Sequence, residues 1–271
     1  LCDALPALKN PFELDLSKCG LSVNGVNPVA KAISAGAVLN LLTLSSTGDK
    51  YNPNTYTLTA GEDKLELNDK NLGPADITLI GAWLAISAGA AVEVVAIGGN
   101  PIGSEGGATL LETIKTSKLK TIDIGRPLPL QEPYGSDTLD LSKTKMDPGH
   151  VLLLSWWLGT EFSAAVTSIN CLANKFGEDD LATLLTAIEG TSVRSLCGLT
   201  EGQTTADFSG QNLGPIDVKI MAAEYGFQGF IAAVARLSLS GNFITGSRDE
   251  GDFIPDWQYD LDLSGLTSLC D

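Results

Sequence analysis

The sequence predicts an α/β solenoid in which short parallel strands line one face and helices cover the other. Two observations support this prediction. The pattern L-x-x-L-x-L-x-x-N-x-L recurs along the chain, and the stretch N-L-G-P-A-D at 71–76 returns as N-L-G-P-I-D at 212–217, with the related K-M-D-P-G-H at 145–150 between them. Repetition of this kind is typical of chains in which each unit packs only against its neighbours.

The shorter pattern predicts the strands. Its apolar residues alternate, and successive side chains of a strand point to opposite faces. A small polar residue, most often Asn, closes the turn after each strand. The pattern fits residues 14–21, 95–102, 139–146, 169–176, 206–213 and 237–244. Three such strands make up one longer unit.

Helices are expected after the first two strands of each unit. In G-P-x-D at 73–76 and 214–217, Pro suits the first helical turn and Asp complements the positive end of the helix dipole. Trp83 and Trp157 lie at equivalent positions of the first helices, on the apolar face that we expect to pack on the sheet. The second helices are expected at 106–115 and 178–189.

The third connection of each unit is expected to lack a helix. Residues 126–137 contain three prolines, and residues 199–205 are too few for a helix. In the first unit we expect the third strand at 56–60. L-C-D at 1–3 and 269–271 resembles L-C-G at 196–198, so both ends are expected to be third strands as well.

We therefore expect one repeat array over residues 1–271. Its units fall at roughly 14–64, 65–138, 139–205 and 206–271. Repeat arrays normally finish with a polar capping unit, and neither end of the sequence has one. The sequence is accordingly expected to be an excerpt of a longer array.

These repeats resemble those of leucine-rich-repeat proteins of the ribonuclease-inhibitor type over nearly the whole chain. The stretch 195–209 also resembles uncharacterised long repeat arrays of algae and other protists. The resemblance implies a leucine-rich-repeat solenoid, with a parallel β-sheet on the concave face and helices on the convex face. A helix-free connection every third repeat would distinguish this chain. The resemblance further implies a concave sheet that binds proteins, without catalysis.

Composition narrows the range of partners. With 33 acidic and 17 basic residues, the net charge is −16, which repels nucleic acid and anionic membrane surfaces and favours a neutral or basic protein partner. No apolar stretch reaches the length of about eighteen residues that a membrane helix needs, so we expect no direct membrane insertion.

The cysteines predict neither a disulfide framework nor a zinc site. There are five, and no Cys-x-x-Cys pair occurs among them. We predict no metal and no cofactor. Reduced thiols and the absence of Asn-x-Ser/Thr favour the inside of a cell or an organelle over secretion, although the sequence leaves the compartment unknown.

Charged residues on the predicted strands mark a candidate binding surface. Because side chains alternate along a strand, Asp15, Glu66, Asp123, Asp140 and Asp207 are expected to form an acidic stripe on the concave face that attracts a basic partner. Acids of equivalent strands would lie roughly 14 Å apart, too far to share one metal or one proton. The alternative is that they only keep the sheet face soluble.

Asp123 and Asp140 are the exception to that spacing. If their strands are neighbours, the carboxyls would lie about 5 Å apart, as in a retaining glycosidase pair, and one pKa would rise. The sequence offers no pocket wall, aromatic platform or third polar group beside them. We therefore predict no catalytic residues and no enzymatic activity.

Three other residues are candidate contacts. Arg126 and Tyr134 lie in the Pro-rich segment 126–137, which serves either as a binding loop or as a stiff spacer. Trp156 precedes the inward-facing Trp157, so it is either an exposed contact on the convex side or partly buried.

The remaining chemically distinctive residues are expected to be structural. His150, the single histidine, falls in the first turn of a helix and is expected at the surface. Cys19 and Cys171 occupy positions where the repeat tolerates a small buried residue, so both are expected in the core.

These observations favour a scaffold that binds another protein through the acidic concave face and the neighbouring loops. The alternative is a structural accessory subunit, either embedded permanently in a larger assembly or self-associating through its uncapped ends. The two differ in how the isolated chain behaves. A scaffold should bind its partner with salt sensitivity, whereas an embedded subunit should expose apolar surface.

Overall fold

The computed structural model describes residues 2–8, 10–246, 248–249, 257–258 and 260–270. The helices are α1 (Val23–Ser34), α2 (Pro74–Leu84), α3 (Gly103–Thr116), α4 (Pro148–Leu158), α5 (Glu178–Ile188), α6 (Pro215–Gly226) and α7 (Ser264–Cys270). The strands are β1 (Phe12–Leu16), β2 (Leu39–Ser45), β3 (Thr55–Thr59), β4 (Lys64–Glu66), β5 (Val94–Ala96), β6 (Thr121–Asp123), β7 (Pro127–Pro129), β8 (Thr138–Asp140), β9 (Ser168–Asn170), β10 (Thr205–Asp207), β11 (Arg236–Ser238), β12 (Arg248–Asp249) and β13 (Trp257–Gln258).

The chain groups into two compact units. The first contains Leu1–Pro133 and Thr144–Phe162, and the second contains Tyr134–Lys143 and Ser163–Asp271. None of the helices in the described part of the chain combines the length and the apolar character that crossing a bilayer requires.

Two small sheets of mixed orientation belong to the first unit. In one, β1 pairs with β2 in parallel, and β3 then pairs with β2 in the antiparallel sense. In the other, β4, β5 and β6 are parallel neighbours, and β7 pairs with β6 in the antiparallel sense. Both sheets therefore end on a strand that reverses the chain direction.

In its described residues, the second unit contains only two-stranded pairs. Strands β8 and β9 are parallel, as are β10 and β11, whereas β12 and β13 are antiparallel. Isolated bridges also join Ser168 to Ser195 and Asn170 to Cys197.

The predicted leucine-rich-repeat solenoid is wrong. A solenoid of that kind requires one continuous parallel sheet, and the described strands form separate small sheets of mixed orientation instead. The concave and convex faces expected of the solenoid are therefore also wrong. The fold is α/β, with helices between short strands.

The prolines of β7 suit its place at the edge of its sheet. Residues 126–137 were expected to form a loop, but Pro127–Pro129 forms β7, with Leu128 opposite Ile122 of β6. Proline has no backbone N–H to donate to a further strand, so it suits an edge strand. The segment therefore ends its sheet.

The third strands expected at 56–60 and at the two ends differ from the prediction. The strand expected at 56–60 is present as β3, but it runs antiparallel to β2 because the chain makes a hairpin after Ser45. At the ends, Cys2 lies in a turn and Cys270 in helix α7. Neither end therefore repeats the bridge that Cys197 makes with Asn170.

Local features of the repeat are present within the units. The second helices expected at 106–115 and 178–189 are α3 and α5. Leu139 and Leu141 are 1% and 0% exposed, while Asp140 between them is exposed. Apolar alternation therefore identified the buried side of β8.

Asparagine side chains close the turns after the second strands. Nδ2 of Asn100 donates to the carbonyls of Leu67 and Ile97 at 2.8 and 2.7 Å. Nδ2 of Asn174 and of Asn242 donates to two carbonyls in the same way. Each amide thus joins two neighbouring strand ends.

Candidate partner-binding surface

Five acidic residues lie at or next to the ends of their strands, and we call them the strand-end carboxylates. Glu66, Asp123, Asp140 and Asp207 are the last residues of β4, β6, β8 and β10, and Asp15 is the last but one of β1. Four of them are exposed and Asp123 is half-buried. The sequence predicted these five residues as the binding surface.

The four aspartates share one local geometry. In each, Oδ1 accepts the backbone N–H of the residue two positions ahead, at 2.8 Å for Asp15, 2.8 Å for Asp123, 3.0 Å for Asp140 and 2.9 Å for Asp207. Short polar side chains commonly stabilise turns in this way. The turn uses one oxygen and holds the carboxyl group in a fixed place at the end of the strand.

Two of these carboxyls have lowered pKa values. The hydroxyl and then the backbone N–H of Ser17 lower the pKa of Asp15, and Ser209 does the same for Asp207. Donated hydrogen bonds favour the charged form of a carboxyl group. Both residues therefore stay ionised at neutral pH.

Pairing within one sheet brings two of the acids into one row. Glu66 lies opposite Ala96 of β5, and Ala96 lies opposite Asp123 of β6. Two strand spacings separate the acids, which is roughly 10 Å. Lys64 forms an ion pair with Glu66, and both side chains are exposed. This row is therefore only partly acidic.

The strands of Asp123 and Asp140 do not pair with each other. Strand β6 pairs with β5 and β7, and β8 pairs with β9. The condition under which they could act as a glycosidase-like pair is therefore not met. Opposite Asp140 lies Asn170, and opposite Asp207 lies Ser238.

His150 is buried, and its expected place at the surface is wrong. The side chain is 0% exposed. Its Nδ1 lies 2.7 Å from Oδ1 of Asp147, and its Nε2 lies 3.2 Å from the carbonyl oxygen of Ile97. In the sequence, the one sign of this pairing is Asp147, which lies three residues before His150. Both ring nitrogens are occupied, so the histidine links elements and does not face solvent.

The sequence placed Asp76 and Asp217 in first helical turns, but it did not reveal that these carboxylates and Asp147 are buried and contact distant segments. Asp147 Oδ2 accepts the N–H of Gly103 at 2.7 Å, and Asp217 Oδ1 accepts that of Ala173 at 2.7 Å. Asp76 Oδ2 accepts both the N–H and the hydroxyl of Thr47 at 2.7 Å. Asp76 and Asp217 of the G-P-x-D pattern, and Asp147 at the N-cap of α4, therefore each join a helix to a segment far away in sequence.

Burial and donors compete in setting the pKa of these carboxyls. Burial raises the pKa of Asp76 and of Asp217, against the effect of their hydrogen-bond donors. For Asp147, burial acts in the same direction, but the hydrogen bond and charge of His150 outweigh it, so the pKa is lowered. The histidine thus distinguishes the start of α4 from those of α2 and α6.

Glu224 is another fully buried acid, in the second unit. Its Oε2 accepts the hydroxyl of Ser195 and the N–H groups of Leu196 and Cys197, at 3.0, 2.8 and 3.2 Å. Its Oε1 accepts the N–H of Ile231 at 2.9 Å. One carboxylate therefore joins the segment 195–197 to the backbone at Ile231.

The cysteines offer no reactive thiol in the core. Burial raises the pKa of Cys171 to about 12, and burial with the charge of Glu224 raises that of Cys197 well above its usual range. Cys171 is buried as predicted, but Cys19 is exposed, so its predicted place in the core is wrong. No cluster of three or more His, Cys, Asp or Glu in the described residues is arranged to hold a metal.

The other candidate contacts have different surroundings. Arg126 is exposed, and its guanidinium donates to the carbonyl of Gly125 at 2.9 Å. Tyr134 and Trp156 are half-buried. Trp157, beside Trp156, is fully buried and donates its Nε1–H to the carbonyl of Pro129 at 2.8 Å.

Comparison with known proteins adds no relative. No family model matches the chain, and no curated protein is significantly similar to it.

Proposed function

We propose that the chain is a non-catalytic binding protein that holds a basic or neutral protein partner through its strand-end carboxylates. The observation that supports this most directly is that Asp15, Asp140 and Asp207 are exposed while their turns fix them in place. A charged group that is already ordered loses little entropy when a partner binds. The net charge of −16 adds long-range attraction for a basic surface.

The groups with catalytic potential favour the same proposal. Asp123 and Asp140 lie on strands that do not pair with each other, and both ring nitrogens of His150 are engaged within the core. The buried acids Asp147 and Glu224 accept hydrogen bonds from neighbouring backbone. These groups maintain structure, so we propose no reaction.

Carbodiimide crosslinking in an extract of the native source tests the proposal. This reagent joins carboxylates to lysines without a spacer, so it reports ion pairs across an interface. We expect one partner to be linked through the strand-end carboxylates at low salt and released at high salt, because exposed charge pairs are screened. Affinity for the purified partner is then measured with two variants.

The test variant is D15N/D140N/D207N, in which each amide oxygen can still accept the hydrogen bond of the turn. Each exposed ion pair contributes about 0.5 kcal/mol, so losing three should weaken binding about tenfold. The control variant D3N/D63N/D179N removes the same charge from exposed aspartates elsewhere. Equal weakening by both variants would exclude a role for the strand ends in particular.

One observation favours the second candidate, an embedded structural subunit. Leu261 and Leu263 are 47% and 46% exposed, although they belong to the same L-D-L-S sequence as Leu139 and Leu141, which are buried. Exposed apolar pairs of this kind commonly lie in interfaces. Crosslinks that survive high salt and map to Asp262 between these leucines would favour this candidate over the first.

A further inference from the structure

A cavity of about 620 Å³ opens beside the start of helix α1 in the first unit. None of the strand-end carboxylates is among its lining residues. Its polar lining includes Lys18, Ser22, Ser45, Ser46 and Lys50. The volume lies within the range of small-molecule sites, about 300 to 1,000 Å³. No carboxylate lines it, in a chain that has 33 acidic and 17 basic residues. The local charge of the cavity is therefore opposite to that of the whole chain.

The two lysines of the cavity lining form no close ion pair within the described part of the chain. Among the described residues, neither Lys18 nor Lys50 forms an ion pair, whereas Lys64, Lys120 and Lys145 do. The ammonium group of Lys50 lies 4.6 Å from the centre of the Tyr51 ring. The backbone N–H of Lys18 donates to Ser45 Oγ at 2.9 Å, which fixes the base of its side chain.

Two serine hydroxyls in the cavity lining add donors for a ligand oxygen. Ser45 and Ser46 are 8% and 3% exposed. Ser45 Oγ accepts the N–H of Lys18, and Ser46 Oγ accepts that of Asn54 at 2.9 Å. Each Oγ thus accepts one backbone N–H, and its O–H can still donate to a ligand oxygen in the cavity.

The start of helix α1 also favours an anion in the cavity. Its N-cap residue Ser22 makes no side-chain cap hydrogen bond, and the first turn contains no acid. The N–H groups at a helix start carry partial positive charge and commonly bind phosphate or sulfate. Helices α2 and α6 differ, because Asp76 and Asp217 already occupy their first turns.

One buried acid lies behind the cavity lining and opposes an anion. Asp76 accepts the N–H and the hydroxyl of Thr47, which lines the cavity. The same carboxyl also accepts the N–H of Gly73 and the hydroxyl of Tyr56, at 2.8 and 2.9 Å. Four donors thus stabilise its charge locally. Neither lysine forms a close ion pair in the described residues, and the neighbouring Asp49 interacts with Lys50 electrostatically.

We propose that this cavity binds the phosphate group of a small phosphorylated molecule. Lys18, Lys50, the hydroxyls of Ser45 and Ser46 and the start of α1 would hold the phosphate oxygens. Leu21, Val23 and Pro53 provide an apolar side for the organic part of the ligand. The proposal goes beyond partner binding and does not depend on it.

Titration of the ¹⁵N-labelled full chain with inorganic phosphate, followed by NMR at constant ionic strength, tests the anion site. We expect saturable shifts confined to the amides near Lys18, Ser22 and Ser46. The variant K18Q/K50Q should weaken binding at least about tenfold, since about 1.4 kcal/mol is lost with two charge-assisted contacts. The control K118Q/K175Q makes the same charge change at exposed lysines outside the cavity.

Phenyl phosphate, as a second probe, distinguishes a phosphate ester from free phosphate. Burial of its ring against the apolar side should make it bind at least about threefold more tightly, since a small apolar contact contributes about 0.8 kcal/mol per methylene-sized group. Thermal melts in chloride establish that both variants fold. Shifts that persist in K18Q/K50Q, or equal binding of the two probes, would overturn the proposal.

Discussion

A buried aspartate serves two segments at once in this chain. Asp147 accepts the N–H groups of Gly149 and His150 at the start of α4, and with its other oxygen it accepts the N–H of Gly103 at the start of α3. His150 completes the contact through Nδ1. One carboxylate thus satisfies N–H groups at two helix starts that would otherwise lack partners.

Stability should depend on the charge of Asp147. Replacing it in D147A should lower the free energy of unfolding by about 2 kcal/mol at pH 7, since a helix cap and a buried contact are lost together. The pKa of this carboxyl is lowered in the folded state. Its contribution is therefore fully present above the unfolded pKa of about 3.9 and is lost as pH falls through the folded pKa.

Urea unfolding of D147A and the unaltered chain, from pH 7 down to pH 3, measures this. The difference between them should shrink below about pH 4, near the unfolded pKa. D179A removes an exposed first-turn aspartate of α5 and should change stability by less than about 0.5 kcal/mol. A D147A deficit that stays constant over the whole pH range would show that the carboxylate charge is not its source.

The sequence predicted single residues best where their surroundings are local. Asp140 could be predicted as exposed because the leucines beside it alternate with it. His150 could not be placed, because its burial depends on Asp147 and on the carbonyl of Ile97, far away in sequence. Lys18 and Ser46 were missed for the same reason, since folding alone brings them to one cavity.

At the scale of elements, two equivalent tryptophans differ in one contact. Trp83 of α2 and Trp157 of α4 are both 0% exposed. Trp157 donates its Nε1–H to the carbonyl of Pro129 in β7, at 2.8 Å. In the described residues the Nε1 of Trp83 has no hydrogen-bond partner. The antiparallel strand β7 thus gives α4 a contact that α2 lacks.

Replacing each indole by a phenyl ring should therefore have unequal effects. W83F and W157F remove similar volume, and each should cost about 1–2 kcal/mol through the space left behind. W157F also breaks the bond to Pro129, which should add about 1 kcal/mol. Guanidinium unfolding of the two variants measures the difference. A larger loss in W83F would contradict the assigned role of the β7 contact.

Strand direction explains why the sheets were predicted incorrectly. Alternating apolar residues indicate a strand, but the alternation is the same whether its neighbour is parallel or antiparallel. Tyr56 and Leu58 in β3 and Leu128 in β7 are buried as a parallel strand would require. Only the pairing of β3 with β2 and of β7 with β6 reveals the reversed direction. The sheet neighbours of the strand-end carboxylates were unpredictable for this reason.

Over the molecule as a whole, acidic side chains outnumber basic ones. The net charge is −16, and such an excess destabilises a compact state through self-repulsion. Exposed ion pairs such as Lys115 with Glu112 and Lys120 with Glu93 contribute about 0–1 kcal/mol each. Their attraction is too weak to offset the excess of acids.

Salt should therefore stabilise the isolated chain. Raising NaCl from about 20 to about 200 mM shortens the Debye length to below about 10 Å and screens the repulsion. We expect Tm to rise by a few degrees, which corresponds to about 1 kcal/mol for a chain of this size. Calorimetry in NaCl and in choline chloride separates screening from binding of a particular cation, because screening raises Tm equally in both. A Tm that falls with either salt would mean that attractive ion pairs, and not the acidic excess, dominate the electrostatics of this fold.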